Sequence, residues 1–546
     1  MDIHPAIEKI LNKRGIRREE LDEFLSLRPQ KMYDPFLLPY MDEGVDLILS
    51  SIENDEKICI YGDYDADGVT SVSVLMEVLG NLTDNITYYI PSRFTEGYGL
   101  NKDALKRIKD EGTDLVVTVD CGSVSVDEVE YGKEIGLKIL VTDHHTVTDR
   151  RAECPIINPK LPESNYPFRE LAGVGVAFKL SQAIVNVTGL PKQVLTRVLD
   201  LVAIGTIGDI VPLVDENRTL AKYGLRLINV TERKGLTQLI EDTGLKKGNV
   251  TSENISFVLA PHINASGRMG TALDAAILMQ ADNTEVAKEK TEVLMNHNKD
   301  RKEQQDSLYE TCKKVVDENY KDDNIILLQL RNAHQGITGI VAGKLKEHYE
   351  VPVIILTHVE NDIYKGTGRS VSGINLYNLL KKGEHLFDSF GGHKAACGLT
   401  IKKDNIKELR RILKEETDKI ASDRPELFKE NIESELLLNI RDLNMDFIEG
   451  QNLMEPFGEK NPKPTISLRI IPDNIRRVGN NGQYLSFTGK TVDSNDSMGF
   501  IVFKEADQIE KTIRQEGITE ITGTVSKNSF NGVDRVQVMV MKAEKV

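Results

Sequence analysis

The segment ICIYGDYDADGVTS, residues 58–71, places Asp63, Asp65 and Asp67 at alternate positions directly after a short apolar run. This spacing matches the first half of a calcium-binding EF-hand loop, but the twelfth position of that loop must be glutamate and here it is Val74. The residues before the aspartates include β-branched side chains and indicate a strand rather than the helix that precedes an EF-hand loop. The segment therefore predicts an α/β sheet with carboxylates at the end of a strand, where such sheets bind ligands.

Further apolar runs of the same region end in similar side chains. DLVVTVDCG ends at Asp120, KILVTDHH ends at Asp143, His144 and His145, and AIGTIGDIVPL places Asp209 after an apolar run. Because the carboxyl ends of parallel strands share one edge of a sheet, we expect these side chains to converge with the first aspartates.

So many carboxylates cannot stay close together and ionised without cations, because like charges raise one another's pKa. Oxygen ligands with one or two imidazoles suit Mn²⁺ or Mg²⁺ better than zinc. Two ions about 3.5–4 Å apart can activate water and hold both the attacking and the leaving oxygen of a phosphoryl transfer. The alternative is that each aspartate only caps the helix after its strand. Because aspartates follow three different strands, a two-metal site is favoured over helix capping.

Bulk properties limit the remaining possibilities. The chain has 546 residues, which predicts roughly three to five domains. The net charge of −16 argues against binding nucleic acid through bulk basic charge, so any polyanion site must be local. There is no long apolar run typical of a membrane span or a secretory signal. The 5 cysteines are scattered without a CxxC pair, which indicates a reduced, cytoplasmic setting.

The pattern of apolar runs predicts an α/β fold with two lobes, joined by a long helix and followed by an all-β barrel of the OB type. The predicted divisions are a helical segment at 1–45, a catalytic α/β domain with a parallel sheet at 46–225, a helical region with a connector helix at 226–320, a smaller α/β substrate-binding domain at 321–425, a linker at 426–464 and an OB-like nucleic-acid-binding domain at 465–546.

DYDADG, VTVDCG, VTDHH and GDIVPL, in this order and spacing, resemble the four motifs of the DHH phosphoesterase superfamily. IPSRFTEGYGL, PHINASGRMG, GTGRSVSGINLYNLL and FGGHKAACGLT are similar to motifs of the bacterial RecJ exonuclease family, and the resemblance covers nearly the whole chain. It implies a DHH core, a DHH-associated second lobe and an OB domain. It also implies 5′-to-3′ degradation of single-stranded DNA to 5′ mononucleotides, dependent on Mn²⁺ or Mg²⁺, in recombination and repair.

The resemblance also implies roles for particular residues. The implied metal ligands are Asp63, Asp65, Asp67, Asp120, His144, His145 and Asp209, with Asp120, His144 and His145 as the catalytic group. His144 is expected either to bind metal or to contact the scissile phosphate, and Asp143 to orient a histidine. Residue chemistry and resemblance together give the expected substrate contacts: Arg93, Tyr98, Arg268, Arg369, Ser370, Gly391, Gly392 and His393.

Several features bear on substrate preference. The chain has no tryptophan, so bases must stack on other rings, and Tyr484 or Phe487 is the expected platform in the barrel. His262 stands where the family resemblance leads us to expect arginine, and Ala333 where an aromatic residue is frequent. FGGHKAACG has a second interpretation, a tight turn before a helix of small residues.

Two other functions remain open at this point. One is a phosphodiesterase for short oligonucleotides or cyclic dinucleotides, which would share the two α/β lobes. The other is a scaffold protein of replication or repair without catalysis. Single-stranded DNA is the expected partner, together with a helicase and a single-strand-binding protein. We expect a monomer without membrane association.

Overall fold

The computed structural model describes residues 3–27, 30–147, 150–428, 432–491, 496–530 and 533–546. Within it the chain forms two compact units. The first unit comprises Met1–Asn264, Ala272–Thr291 and Ile432–Val546, and the second comprises Ala265–Thr271 and Glu292–Asn431.

The first unit contains a five-stranded, fully parallel sheet in the order β2-β1-β3-β4-β5. Its strands are β1 (Ile58–Tyr61), β2 (Ile86–Tyr89), β3 (Leu115–Thr118), β4 (Lys138–Thr142) and β5 (Ile156–Ile157). Strands β1 and β3 are buried throughout, as the unbroken apolar runs ICIY and LVVT predict for the middle of a parallel sheet. Three strands next to one another, β1, β3 and β4, therefore end at one edge of the sheet.

Helices surround this sheet and extend beyond it. They are α1 (Pro5–Lys13), α2 (Arg18–Leu25), α3 (Met41–Glu53), α4 (Ala66–Leu79), α5 (Lys102–Asp110), α6 (Val126–Glu134), α7 (Gly173–Thr188), α8 (Gln193–Gly208), α9 (Asp215–Ile228), α10 (Lys234–Asp242), α11 (Ser252–Asn254), α12 (Ala260–Met269) and α13 (Leu273–Gln280). A π-helical turn, Ile255–Leu259, lies between α11 and α12.

The second unit contains a mixed sheet in the order β6-β7-β8-β10-β9, in which only β6 and β7 are parallel. Its strands are β6 (Ile326–Leu330), β7 (Val353–His358), β8 (Ile363–Arg369), β9 (Phe387–Gly392) and β10 (Ala396–Lys402). Its helices are α15 (Gln335–Tyr349), α16 (Leu376–Lys381) and α17 (Ile406–Asp423), together with α14 (Thr284–Asn319) from Glu292 onward. The 36-residue α14 is the predicted connector helix. FGGHKAACG forms the β9–β10 hairpin, so its interpretation as a turn before a helix is wrong.

The last part of the chain is the predicted barrel, in the order β11-β12-β13-β14-β16-β15, and pairing between β12 and β15 closes it. Its strands are β11 (Leu436–Leu438), β12 (Thr465–Val478), β13 (Tyr484–Thr491), β14 (Ser497–Val502), β15 (Thr519–Phe530) and β16 (Val533–Lys545), and its helices are α18 (Met445–Leu453) and α19 (Ala506–Ile513). The stretch 426–464, predicted as a linker, includes β11 and α18.

The N-terminal helices and the barrel share one hydrophobic core, which includes Ile7 and Ile10 of α1, Phe447 of α18 and Phe500 of β14. The Arg14 guanidinium reinforces this contact through two hydrogen bonds to the Glu435 carboxylate, at 2.6 and 2.9 Å.

Two buried cations of α9 hold the N-terminal helices and the segment around α18 against the α/β part of the first unit. Arg218 donates to the backbone oxygens of Phe24 (2.9 Å) and Met454 (3.0 Å), and Lys222 donates to that of Leu453 (2.9 Å). These carbonyls belong to the C-terminal ends of α2 and α18, where the helix dipole favours a positive charge.

None of the helices in the described ranges combines the length and the apolarity needed to cross a membrane. All five cysteines are free thiols.

Candidate active site

The first three acids of the site lie in the turn between β1 and α4. Asp65 caps α4, because its side chain accepts hydrogen bonds from the backbone N–H groups of Asp67 (3.0 Å) and Gly68 (3.1 Å). A Cβ at Gly68 would lie 2.4 Å from the backbone oxygen of Asp63, so this tight turn requires glycine. The structure thus places carboxylates at the end of the strand, as the alternating pattern predicts.

Asp120 follows β3 in a left-handed backbone conformation, with φ +60°. This conformation costs a residue with a Cβ about 1–2 kcal/mol and is concentrated at functional sites. The Asp120 side chain is almost completely buried.

The N-terminus of α7 contacts this acidic cluster directly. The backbone N–H of Gly173 donates to Asp67 Oδ2 (2.7 Å), and that of Val174 donates to Asp67 Oδ1 (2.8 Å). A Cβ at Gly173 would lie 2.7 Å from Asp120 Oδ1. The sequence segment GVGVAF therefore brings a helix N-terminus, which favours negative charge, against two carboxylates. Gly173 is not among the site residues predicted from the sequence.

His144 lies at the centre of the cluster. Its Nε2 is 3.1 Å from Asp120 Oδ1, 3.5 Å from Asp209 Oδ2 and 3.8 Å from Asp67 Oδ2. Asp209 reaches this position from the C-cap of α8 rather than from a strand.

Asp143 makes a different set of contacts, because protein donors engage both of its oxygens. Oδ1 accepts from the backbone N–H groups of His144 (2.7 Å) and His145 (3.1 Å) and lies 2.8 Å from His145 Nδ1, while Oδ2 accepts from the Ser123 N–H (3.0 Å). Asn158, which the sequence analysis missed, donates to the backbone oxygen of His145 (3.0 Å). These contacts fit the predicted orienting role of Asp143 and leave His145 Nε2 on the other side of the ring.

All seven predicted metal ligands come together. Three groups each place their ligand atoms within 4.8 Å of one another: Asp120 with His144 and His145; Asp67 with His144 and Asp209; and Asp63 with Asp65 and Asp120. The groups share Asp120 and His144, so they form one continuous cluster.

The cluster contains buried polar atoms that lack protein partners. Asp63 Oδ1, Asp120 Oδ1 and both ring nitrogens of His144 are buried and make no hydrogen bond within the described part of the chain. Such orphaned atoms are costly unless something else satisfies them. Carboxylate oxygens with imidazole nitrogens fit Mn²⁺ or Mg²⁺, so the donor set and its unsatisfied atoms suit divalent cations.

The raised pKa values of the clustered carboxyl groups also favour bound divalent cations. Burial, followed by the neighbouring Asp65 charge, raises the pKa of Asp67 to about 7. Burial, followed by the Asp67 charge, raises the pKa of Asp209 to about 8. The pKa values of Asp63 and Asp120 are also raised well above their usual range, first by burial and then by neighbouring aspartates. Bound cations would remove this penalty on the ionised carboxylates.

The pKa values of the two histidines are shifted in opposite directions. Burial, followed by the His145 charge, lowers the pKa of His144 to about 3, so its imidazole is neutral and able to bind a metal ion. Burial opposes protonation of His145 as well, but the Asp143 hydrogen bond and charge outweigh it and raise the pKa of His145 to about 9. Burial alone would raise the pKa of Asp143, whereas its bond to His145 lowers that pKa below its usual range.

Two predicted substrate residues lie beside the cluster. The Tyr98 hydroxyl is 3.2 Å from His145 Nδ1, and 54% of the Tyr98 residue is exposed. The Arg93 guanidinium lies 4.6 Å from the centre of the Tyr64 ring, in a cation–π contact.

The other predicted substrate residues belong to the second unit. Arg268 donates to the Gly336 backbone oxygen at 2.9 Å, and a Cβ at Gly339 would lie 3.0 Å from Arg369 Nη2. Gly336 and Gly339 are three residues apart on one face of α15, so both guanidinium groups lie along a glycine-lined face near a helix N-terminus. This arrangement suits a phosphate group.

The remaining substrate predictions have different surroundings. The Ser370 hydroxyl is buried and donates to the Ile374 backbone oxygen at 2.9 Å, so its proton is already engaged. Gly391 and Gly392 end β9, and His393 lies in the turn of the exposed hairpin.

The rings of Phe487, Tyr484 and His262 differ in their exposure and their contacts. Phe487 is buried in the barrel core, stacked on Phe500 with ring centres 4.9 Å apart, so the prediction of Phe487 as a base platform is wrong. Tyr484 is partly exposed and packs edge-on against Phe503, which is 49% exposed and which the sequence analysis missed. His262 is buried, with Nδ1 2.7 Å from the Val258 backbone oxygen.

Sequence families match the chain in the order of its structural parts. The DHH family, N-terminal domain, matches residues 57–206; the DHHA1 domain matches residues 322–419; and the RecJ OB domain matches residues 434–542.

Proteins that are similar to this chain over nearly its whole length indicate a narrower family. A Bacillus subtilis (strain 168) protein named single-stranded-DNA-specific exonuclease RecJ is 37% identical over 556 residues, covering 100% of this chain and 68% of the relative. The protein of the same name from Thermus thermophilus is 31% identical over 536 residues, covering 97% and 74%.

Solved structures agree with these relatives. A crystal structure of RecJ in complex with Mn²⁺ from Thermus thermophilus has a TM-score of 0.83 at 27% identity, covering 100% of this chain and 76% of that chain. A crystal structure of exonuclease RecJ bound to manganese has a TM-score of 0.61 at 30% identity, covering 70% and 95%. The fold and the site are those of a DHH-type phosphoesterase. Within that class, this chain belongs to the RecJ family.

Proposed function

We infer that the protein is a metal-dependent exonuclease that hydrolyses single-stranded DNA from the 5′ end and releases 5′ mononucleotides. The observation that carries this proposal is the cluster of buried carboxylate oxygens and imidazole nitrogens without protein partners. Its relatives are named single-stranded-DNA-specific exonucleases, and related structures contain Mn²⁺ or Mg²⁺. A role in DNA recombination and repair follows from the family.

The proposed metal ligands are Asp63, Asp65, Asp67, Asp120, His144, His145 and Asp209. When bound, two divalent ions supply Lewis-acid charge that lowers the pKa of water and stabilises charge on phosphoryl oxygens.

The chain's own groups prepare this site. Asp143 holds the His145 ring through Nδ1, which fixes the orientation of the opposite nitrogen. The first N–H groups of α7 hold both oxygens of Asp67. The lowered pKa of His144 keeps its imidazole unprotonated at neutral pH, as a ligand requires.

We propose that arginine and aromatic side chains hold the strand. Arg93 and Tyr98 offer a cation and a ring next to the acidic cluster. Arg268 and Arg369 offer two guanidinium groups for phosphate along α15, and the exposed Gly391, Gly392 and His393 offer backbone that a strand can approach closely. We propose that Ser370 also contacts the strand. Its hydroxyl proton is donated to the Ile374 backbone oxygen, but its hydroxyl oxygen can still accept a hydrogen bond. In the barrel, Tyr484 with Phe503 forms the proposed platform for a base.

The proposal also covers organisation and setting. The six divisions at 1–45, 46–225, 226–320, 321–425, 426–464 and 465–546 are our proposed domain boundaries. We propose a monomer in the cytoplasm that receives its single strands from a helicase and a single-strand-binding protein. The five free thiols support a reducing compartment.

The test offers a 5′-labelled strand of about 30 nucleotides, its duplex form and a dinucleotide, each with Mn²⁺ and with a chelator. We expect labelled mononucleotide only from the long single strand and only with metal. The Asp120→Asn protein serves as the control for contaminating nuclease. Preference for the dinucleotide would favour the short-oligonucleotide phosphodiesterase, and no cleavage of any substrate would favour a scaffold.

A further inference from the structure

Arg301 of α14 is a partly buried cation that neutral groups hold in place. Its Nε and Nη2 donate to Asn298 Oδ1 at 3.0 and 2.9 Å, and its Nη1 donates to Gln305 Oε1 at 3.1 Å. Asn298 and Gln305 are both buried, so two amide side chains on the same helix fix the plane of the guanidinium.

These amides hold the charge without neutralising it. Within the described residues, no carboxylate lies within ion-pair distance of Arg301, and the neighbouring Asp306 pairs with Lys344 at 2.8 Å. Burial lowers the pKa of Arg301, and the charge of the nearby Asp306 offsets only part of this effect. A guanidinium has five N–H donors, and the three bonds to the amides leave two of them for another acceptor.

The position of Arg301 connects it with the proposed phosphate contacts of the second unit. A Cβ at Gly270 would lie 2.6 Å from Cε1 of His297, so α14 packs closely against the segment that contains Arg268. His297 is four residues before Arg301, which places it one turn earlier on the same face of the helix. Arg301 therefore lies in the same region as Arg268, on a different element.

We propose that Arg301 is a further phosphate-binding residue of this protein, which contacts an internal phosphodiester of the single strand through its two remaining N–H donors. The inference rests on the proposed function, because it takes the strand to be the ligand. A planar guanidinium fixed in advance loses little entropy on binding a phosphate, and both remaining donors can be satisfied by one phosphodiester.

The experiment measures binding of a fluorescent single strand with phosphorothioate linkages, in Mn²⁺, over a range of salt concentrations. Each phosphate contact on a single strand contributes about 0.7 to the slope of log K against log salt. We expect Arg301→Gln to reduce this slope by about 0.7 and to weaken binding about 10-fold at low salt, as expected for a lost charge-assisted bond. Arg301→Lys retains the charge, so it should keep the slope while weakening binding.

Two further variants separate DNA binding from a purely structural role. Asn298→Asp gives Arg301 an anionic partner, so it should preserve the fold yet reduce the slope as Arg301→Gln does. Arg411→Gln is the control, because Arg411 is exposed and already paired with Glu408 and Glu415, and it should leave the slope unchanged.

The inference is overturned if Arg301→Gln and Asn298→Asp both keep the wild-type slope. That result would leave the proposed function intact whenever the wild-type protein still releases mononucleotides. A wild-type protein that binds the strand but releases no nucleotide would instead contradict the proposed function, and the binding slopes would still decide the role of Arg301.

Discussion

Asp120 combines three properties that seldom occur together in one residue. It has a positive φ, it is buried, and it belongs to two of the three potential metal-binding groups. Such backbone strain persists only where the surrounding structure imposes it, and it is concentrated at functional sites. We therefore propose that Asp120 would contribute to both ion sites when metal is bound.

Replacing Asp120 by asparagine tests this assignment with almost no change in shape. The change should reduce cleavage of single-stranded DNA by about 10²–10³-fold or more, since it removes a ligand charge worth several kcal/mol of transition-state stabilisation. Initial rates with Mn²⁺ would measure the effect. Asp127→Asn, at an exposed residue paired with Arg150, is the matched control and should cleave normally. Wild-type rates in Asp120→Asn would show that the metal assignment is wrong.

Asp143 should act through His145 rather than on the metal directly. Asp143→Asn keeps the shape but weakens the hold on His145 Nδ1, so we expect about 10–100-fold weaker Mn²⁺ affinity. Titrating activity with Mn²⁺ should show a higher half-saturating concentration with much of the maximal rate recovered. A variant that recovers nothing at high Mn²⁺ would instead indicate that Asp143 is itself a ligand.

The strand-end acids could be predicted from sequence because parallel strands end at a common edge, and this rule needs only the identity of the strands. The backbone donors of α7 could not be predicted in the same way. Their role depends on where Gly173 lies in three dimensions relative to Asp67, and nothing in GVGVAF indicates which group approaches the helix.

Among the elements, α7 contacts the cluster through the backbone N–H groups of its N-terminus. Gly173→Ala should lower Mn²⁺ affinity and activity, because the new Cβ would lie 2.7 Å from Asp120 Oδ1 and one of the two elements must shift. Calorimetric titration with Mn²⁺ would measure the loss.

Gly175→Ala is the control on the same helix. Its Cβ would first meet the Leu171 side chain at 3.3 Å, which can adjust, and alanine favours the helix by about 0.5–1 kcal/mol. Equal Mn²⁺ affinity in both variants would show that close approach at Gly173 does not matter to the site.

The alternation of side chains along β13 could have excluded Phe487 as a base platform from the sequence alone. Successive side chains of a strand alternate between faces, so Phe487 shares a face with the buried Leu485 while Tyr484 lies on the opposite face. The pattern YLSF thus contained the signal that Phe487 belongs to the core. The partner ring of Tyr484, Phe503, lies just beyond the next strand and depends on barrel pairing that composition does not reveal.

At the scale of the whole molecule, the acidic cluster makes stability depend on pH and metal. In the metal-free protein the folded-state pKa values of Asp67 and Asp209, about 7 and about 8, lie above those of the unfolded chain. The folded protein then binds more protons than the unfolded chain, so stability falls as pH rises towards 8. His145, with a pKa of about 9, changes stability in the same direction. His144 acts oppositely, but only below its ordinary pKa of 6.5.

We therefore expect the melting temperature of the chelated protein to fall between pH 6.5 and 8. Mn²⁺ at about 100 times its dissociation constant should add about 2.7 kcal/mol of stability and flatten this dependence. Thermal unfolding at several pH values, with and without Mn²⁺, measures both effects. A metal-free protein whose stability rises over this range would contradict the proposed charge state of the cluster.

The shared core of α1 and the barrel has a consequence for biosynthesis. Helix α1 leaves the ribosome before any other described helix, yet Ile7 and Ile10 complete their core only with the barrel strands, which are synthesised much later. Until then its apolar face is exposed to other nascent chains and to chaperones, because N-terminal elements emerge long before their partners. The barrel strands must therefore be synthesised before α1 can reach its native contacts.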